Sequence, residues 1–161
     1  MLIRIFALSA VVFLWGPAAL ACSLMPGTFL QSNFELIDAS DAIVVATAIR
    51  TKRSEDSSSK SVIFNVSEIL KGSPSKQVKD LWANLGKPTP SNPDDILSAN
   101  PEAYQGPCNR MIYGRGDRYV LMLRNDPEEG FIVWGDAFSR INEDDFGPNS
   151  MWRQAIGVYL K

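Results

Sequence analysis

Two cysteines, Cys22 and Cys108, and a complete lack of histidine define the chemistry open to this 161-residue chain. Without histidine no Ser-His-Asp or Cys-His catalytic set can be assembled, and a His-ligated zinc or a His general base is excluded with them. Two thiols alone make neither a four-thiolate metal site nor an iron–sulfur cluster. The remaining candidates are carboxylates: Asp94-Asp95, Asp126 with Glu128-Glu129, and Glu143-Asp144-Asp145. Oxygen-rich loops can bind calcium and paired carboxylates can cleave glycosides. The stretch Asn142 to Asn149 contains Gly147 but lacks EF-hand spacing, and nothing in the pattern places two carboxylates on facing elements. These clusters therefore read as solvated acidic loops.

Arg110, Arg115 and Arg118 lie near Tyr113 and Tyr119, the one combination of cations and rings that could line a single-strand groove. With 16 basic residues against 18 acidic ones the chain carries no basic footprint, so no nucleic-acid partner is expected. Trp82, Trp134 and Trp152 each sit in a periodic segment and read as core or half-core residues rather than a ligand groove. Asn65-Val66-Ser67 is a glycosylation triplet inside a strand-like run and reads as chance. No catalytic residue, no cofactor and no metal of the protein's own are expected.

The first residues read as an address. Met1 to Arg4 carries one positive charge, Ile5 to Trp15 is apolar, and Gly16-Pro17 breaks any helix. Ala19-Leu20-Ala21 then supplies the small-x-small pattern of a signal-peptide cut, so residues 1–21 are expected to be removed and the protein to be periplasmic or extracellular. An uninterrupted apolar run of about 20 residues, which a membrane-spanning helix needs, is missing there. The mature chain would begin at Cys22 and carry 15 basic and 18 acidic residues. A cysteine directly after the cut also suits a lipoprotein, acylated at Cys22 and held at a bacterial membrane, although Leu20 stands one place later than the usual lipobox leucine. In an oxidising compartment Cys22 and Cys108 have one intramolecular pairing open to them; two buried thiols are the other reading. Closing a loop of that length would constrain the unfolded chain by about 4–5 kcal/mol.

The elements that would position these residues are mostly strands. Ala42 to Lys52, Val62 to Ile69, Gln77 to Trp82, Tyr119 to Leu123 and Phe131 to Trp134 are the strand-like segments. Val62, Phe64 and Val66 alternate onto one face, whereas Tyr119 to Leu123 is continuously apolar, as in a strand buried on both sides. Asn125 to Gly130 reads as a hairpin turn, and Ser54 to Lys60 as an exposed hairpin tip. Leu30, Phe34 and Ile37 predict a helix that stops near Asp41. Trp152, Ala155, Ile156 and Tyr159 predict a C-terminal helix with Ser150 as N-cap and with Arg153 directed away from its apolar stripe. Residues 83–117 hold half the prolines and read as a long irregular loop. The expected core is Val45, Phe64, Val66, Tyr119, Leu121 and Val133. The fold class is mainly β: a five-stranded OB-fold-like barrel in a single domain, 22–161, with a two-layer α+β sheet as the competing arrangement.

Several short segments, taken in order, carry a resemblance. They are Cys22-Ser23-Leu24-Met25-Pro26, Phe34, Asp41 to Thr47, Val62 to Val66, Ile69-Leu70-Lys71-Gly72, and Cys108 followed by Gly116-Asp117-Arg118-Tyr119-Val120-Leu121. This order resembles the netrin-like module of the tissue inhibitors of metalloproteinases and, more closely, its small exported bacterial relatives. The resemblance implies an OB-fold barrel and a non-enzymatic, protein-binding role. It further implies that Cys22 chelates the zinc of a target metalloprotease through its free α-amine and carbonyl oxygen, with Ser23 directed into the target's specificity pocket. Animal inhibitors of this family begin Cys-x-Cys and carry several disulfides; here the third mature residue is Leu24 and one bridge, Cys22 to Cys108, is available.

Overall fold

Strand β1 (Ala42–Arg53) is apolar at consecutive positions because both of its faces are covered. Ala42, Val44, Ala46 and Ala48 point into one cluster and Ile43 and Val45 into another. The computed structural model describes residues 32–53, 60–95, 110–134 and 142–161. After α1 (Asn33–Ala39) and β1 come β2 (Lys60–Lys71), β3 (Gln77–Leu81), β4 (Asn84–Leu85), β5 (Ile112–Tyr113), β6 (Arg118–Asp126), β7 (Gly130–Val133), β8 (Asn142–Asp144) and α2 (Met151–Tyr159).

Five strands close a barrel. β1 pairs antiparallel with β2, β2 with β3, β7 with β6, and β6 returns to β1; β3 meets β7 in parallel through Lys79 and Ile132. Counting only these five in chain order, the ring runs 1-2-3-5-4-1, the order of an OB-fold. Three register shifts between β1 and β2 bend both strands around the ring. β8 lengthens the sheet by pairing with Tyr119 to Leu121, and β4 and β5 form a separate parallel pair. The mainly β, barrel-forming expectation thus holds.

The barrel interior is filled by the inward residues of β1 with Val62, Phe64, Val78, Tyr113, Tyr119, Leu121 and Leu123. Phe64, Tyr113 and Tyr119 meet edge to face, with centroids 4.9 Å apart for Phe64–Tyr113 and for Tyr113–Tyr119. Ile43, Val45, Val120 and Met122 face outward and are sealed by Leu36 and Ile37 of α1 and by Trp152 and Ile156 of α2. The expected core residues Val45, Phe64, Tyr119 and Leu121 are fully buried, while Val66 and Val133 are half-buried at the barrel's margins.

Other expectations need correction. The stretch 83–117 is not wholly irregular, since it contains β4 and β5, and Tyr113 of β5 drops into the core. Arg153 does not point away from the packed face of α2; it is buried, paired with Glu68 and 3.5 Å from Asp145. Tyr159 and Phe34 are partly exposed and stack on each other at 4.8 Å instead of entering the core. Ser150 takes the N-cap position without a capping side-chain bond, whereas Ser32 and Glu35 build a full capping box on α1. Leu30 and residues 54–59 lie outside the described residues.

Two of the motifs that carry the resemblance have structural roles. The Lys71 ammonium donates to the carbonyls of Ile37 and Asp38 at 2.7 and 2.9 Å, neutralising the C-terminal end of α1. Gly72 beside it has φ +74°, and a Cβ there would meet the Asp41 carbonyl at 2.4 Å. Gly116, at φ +87°, donates its N–H to the Ala48 carbonyl at 2.8 Å, and the Tyr119 hydroxyl accepts from the Gly114 N–H at 2.7 Å. Lysine-glycine thus clamps the end of β2 to the α1–β1 junction, and Gly-x-x-Tyr starts β6 against β1.

Unfolding experiments probe the interior and the clamp separately. Phe64→Ala should cost about 3–5 kcal/mol in denaturant unfolding, since it removes a ring that touches two others in a closed interior. Gly72→Ala should cost roughly 2 kcal/mol or more from backbone strain and the clash with Asp41, without any loss of buried apolar area; an unchanged melt would show that the β2 clamp is not needed.

Candidate functional site

The resemblance implies a target-binding element at Cys22 and Ser23, with a bridge expected between Cys22 and Cys108. All three lie outside the described residues. The described chain does show how the segments next to them are held. The N-terminal segment enters α1 at Ser32, whose N–H donates to the Glu35 carboxylate at 2.6 Å while its own hydroxyl accepts from the Glu35 N–H at 3.2 Å. The Ser32 N–H, and after it the Ser32 side chain, hold the Glu35 carboxyl below its ordinary range. Two residues after Cys108, Arg110 is buried, with its guanidinium 5.1 Å above the Tyr119 ring and 5.9 Å from that of Tyr113.

Arg110 is the centre of a polar plug at one end of the barrel. Its Nη2 donates to Asp144 Oδ2 at 3.0 Å and to Ser91 Oγ at 3.1 Å, and the Ser91 N–H donates to the same carboxylate oxygen at 2.5 Å. The plug therefore joins residue 91, the chain just after Cys108, and β8. Arg118 and Arg153 treat Asp145 similarly, at 3.0 and 3.5 Å, with the carboxylate fully enclosed. Glu143 is also buried. The reading of Glu143-Asp144-Asp145 as a solvated acidic loop is overturned: Arg110 pairs with Asp144, Arg118 and Arg153 pair with Asp145, and Glu143 is packed inside. The sequence signal was present in the spacing of Arg110, Arg118 and Arg153, but which acid met which base was not visible without the fold. The same packing removes Arg110, Tyr113 and Tyr119 from any base-stacking role, because they are buried inside the barrel.

Deeper in the interior, Asp80 points inward from β3 and accepts a hydrogen bond from the Tyr113 hydroxyl at 2.6 Å. Burial pushes the Asp80 carboxyl up to about 7, against the opposing pull of that bond. Burial and then the neighbouring Asp80 charge push the Tyr113 hydroxyl well above its usual range. Sequence reasoning missed this pair, since Asp80 occupies an ordinary inward position of an alternating strand. Among the described residues no group of three or more His, Cys, Asp or Glu side chains gathers to hold a metal.

Trp134 and Trp152 pack as expected, half-buried and buried, but Trp82 does not. It follows β3 with φ +71° and its surface is 65% exposed. Trp82 is the aromatic residue presented by the barrel's outer surface next to a cluster of cations, Lys52, Arg53, Lys60 and Lys79.

No family model matches this chain, and no curated protein does.

The Asp80 pair carries a pH dependence. An unfolded aspartate releases its proton near pH 4, whereas folded Asp80 holds it to about 7. The folded state thus binds the extra proton between these values, and stability falls as pH rises through that window. Unfolding midpoints measured from pH 4 to pH 8 should decline, and Asp80→Asn, which keeps the acceptor for Tyr113, should flatten the decline. A wild-type profile that rises over this window would show Asp80 to be charged and stabilised when folded.

Proposed function

We propose that this protein is an exported, non-enzymatic, netrin-like binding module that inhibits zinc metalloproteases through its mature N-terminus. The observation that carries this reading is the barrel order. An OB-fold-like barrel is what the resemblance implies, and its lysine-glycine and Gly-x-x-Tyr segments each hold a joint of the ring. Fold alone does not assign activity, so the site is argued from its chemistry.

After removal of residues 1–21, Cys22 presents a free α-amine and its own carbonyl oxygen. Together they close a five-membered chelate on a zinc that keeps an open coordination position. An α-amine titrates near 7.7–8.0, so a metal displaces its last proton close to neutral pH. A Cys22–Cys108 disulfide holds both donors in place and lowers the ordering cost of binding. It would tie them to the stretch that leads into Arg110, which the polar plug fixes in the barrel wall. Ser23 lies beside the chelate and enters the target's pocket. The zinc belongs to the target; the protein brings no metal or cofactor of its own. Acylation of Cys22 at a bacterial membrane is the alternative, and a thioether at that sulfur excludes the disulfide.

The test is titration of the mature protein against a panel of secreted zinc proteases, in parallel with a form carrying one extra residue before Cys22. The extension turns the amine into an amide and should abolish inhibition while leaving the thermal melt unchanged. Ser23→Ala should alter selectivity among targets and not folding. Equal inertness of both forms across the panel overturns the inhibitory mechanism. The mass of the N-terminal peptide, with and without reduction, separates the disulfide from the acylated form.

A further inference from the structure

The end of β1, the start of β2 and the end of β3 come together at one place on the surface. There, Lys52 and Arg53 of β1, Lys60 of β2 and Lys79 of β3 line a cleft of about 200 Å³ together with Leu81 and Trp82. Residues 54–59, Glu55 and Asp56 among them, lie outside the described residues, so the site is defined by the strand ends alone. Trp82 is held out by a left-handed backbone that a bulky aromatic residue rarely adopts. An exposed tryptophan beside arginine and lysine is the composition of an interface anchor rather than of a solvated edge.

The chain itself shows which anion this cleft accepts. Glu129, in the turn between β6 and β7, reaches across and pairs with Lys79. Its position is set by Asp126, whose carboxylate accepts the N–H groups of Glu128 and Glu129 at 2.9 and 2.8 Å. The pair is peripheral: Glu129 keeps about half its side chain in water, and Lys79 a quarter. Among the described residues no carboxylate pairs with Lys52, Arg53 or Lys60. One of the chain's own carboxylates thus sits at the rim, outnumbered among the described residues by Lys52, Arg53, Lys60 and Lys79, with the Trp82 indole next to them.

We propose that this cleft docks an acidic, extended peptide segment of a partner protein, its carboxylates among Lys52, Arg53 and Lys60 and one apolar side chain against the Trp82 indole. The proposal deepens the protein-binding reading and rests on it, because it assigns a second contact surface that does not use the N-terminus. Complementary charge steers the encounter and makes it sensitive to salt, while Trp82 supplies the desolvated contact that holds the complex.

The probe is a short synthetic peptide rich in glutamate around one phenylalanine, followed by fluorescence anisotropy at low and high salt. Trp82→Gly relieves the left-handed backbone, so its melt should equal or exceed that of wild type while its affinity for the peptide falls roughly tenfold. Lys60→Glu should weaken binding and shrink its salt dependence. The peptide with lysine in place of glutamate should not bind, and oligothymidylate should bind more weakly than the glutamate peptide. The form with an extra residue before Cys22 should bind the peptide as the mature protein does, so failure of zinc chelation and failure of this cleft are separate results. No binding of the glutamate peptide, binding unaffected by Trp82→Gly, or tighter binding of oligothymidylate would each overturn the proposal.

Discussion

β1 is the strand on which the other elements depend, because it pairs along both edges and packs on both faces. One edge runs beside β2 for nearly its whole length and the other beside the first two thirds of β6. Its even-numbered residues from Ala42 to Ala48 fill the barrel, while Ile43 and Val45 seat the helices. A strand in that position cannot be flat. The three register shifts against β2 provide the bend, and small alanines at three of the four inward positions leave room for Phe64, Tyr113 and Tyr119 opposite. Fully burying each large apolar side chain contributes about 1.5–3 kcal/mol, so one misaligned register in β1 would forfeit both clusters together. Lys71 with Gly72 at one end and Gly116 at the other hold that alignment through bonds to backbone atoms.

Charge performs the complementary task at the barrel's end. A guanidinium taken out of water loses several kcal/mol of solvation, and Arg110 recovers it through Asp144, Ser91 and two aromatic faces. Such a group specifies more than it stabilises: a displaced β8 would part Arg110 from Asp144 and Arg118 from Asp145, and would leave Arg153 with Glu68 alone. That constraint explains why a three-residue strand with an acidic sequence, Asn142–Asp144, has a defined place on β6. The Tyr113–Asp80 pair extends the same logic inward, where the carboxyl keeps its proton more readily than an exposed one.

What could be read from the sequence depends on period and burial. The five barrel strands are legible because alternation in Val62 to Val66 and continuous apolarity in Tyr119 to Leu123 report directly on how many faces are covered. The C-terminal helix is legible through Trp152 and Ile156. β4, β5 and β8 are not: two or three residues carry no period, and their pairing is decided by partners far along the chain. Arg153 and Glu143-Asp144-Asp145 mislead because single charges look solvated until an opposite charge is placed beside them. Trp82 misleads for a related reason. Strand periodicity carries an aromatic residue toward the core only as far as the strand persists, and the backbone turns left-handed at that residue.

That turn also decides where the barrel has surface to offer. The two helices and β8 are committed to the side of the barrel formed by β1 and β6, so its outward apolar residues are already spent on packing. β2 meets the helices only toward its far end, at Glu68, Leu70 and Lys71, and on β3 Gln77, Lys79 and Leu81 face outward while Val78 and Asp80 face in. A protein that keeps an exposed tryptophan and several cations on its uncovered side, with its own glutamate parked at the edge, bears a local strain that contributes nothing to its core. Because Trp82 lies outside both hydrophobic clusters, a glycine there would relieve the strain without opening the core. The strain at Trp82 thus serves neither cluster, and the closed barrel behind it supplies a rigid wall for the contact proposed at this cleft.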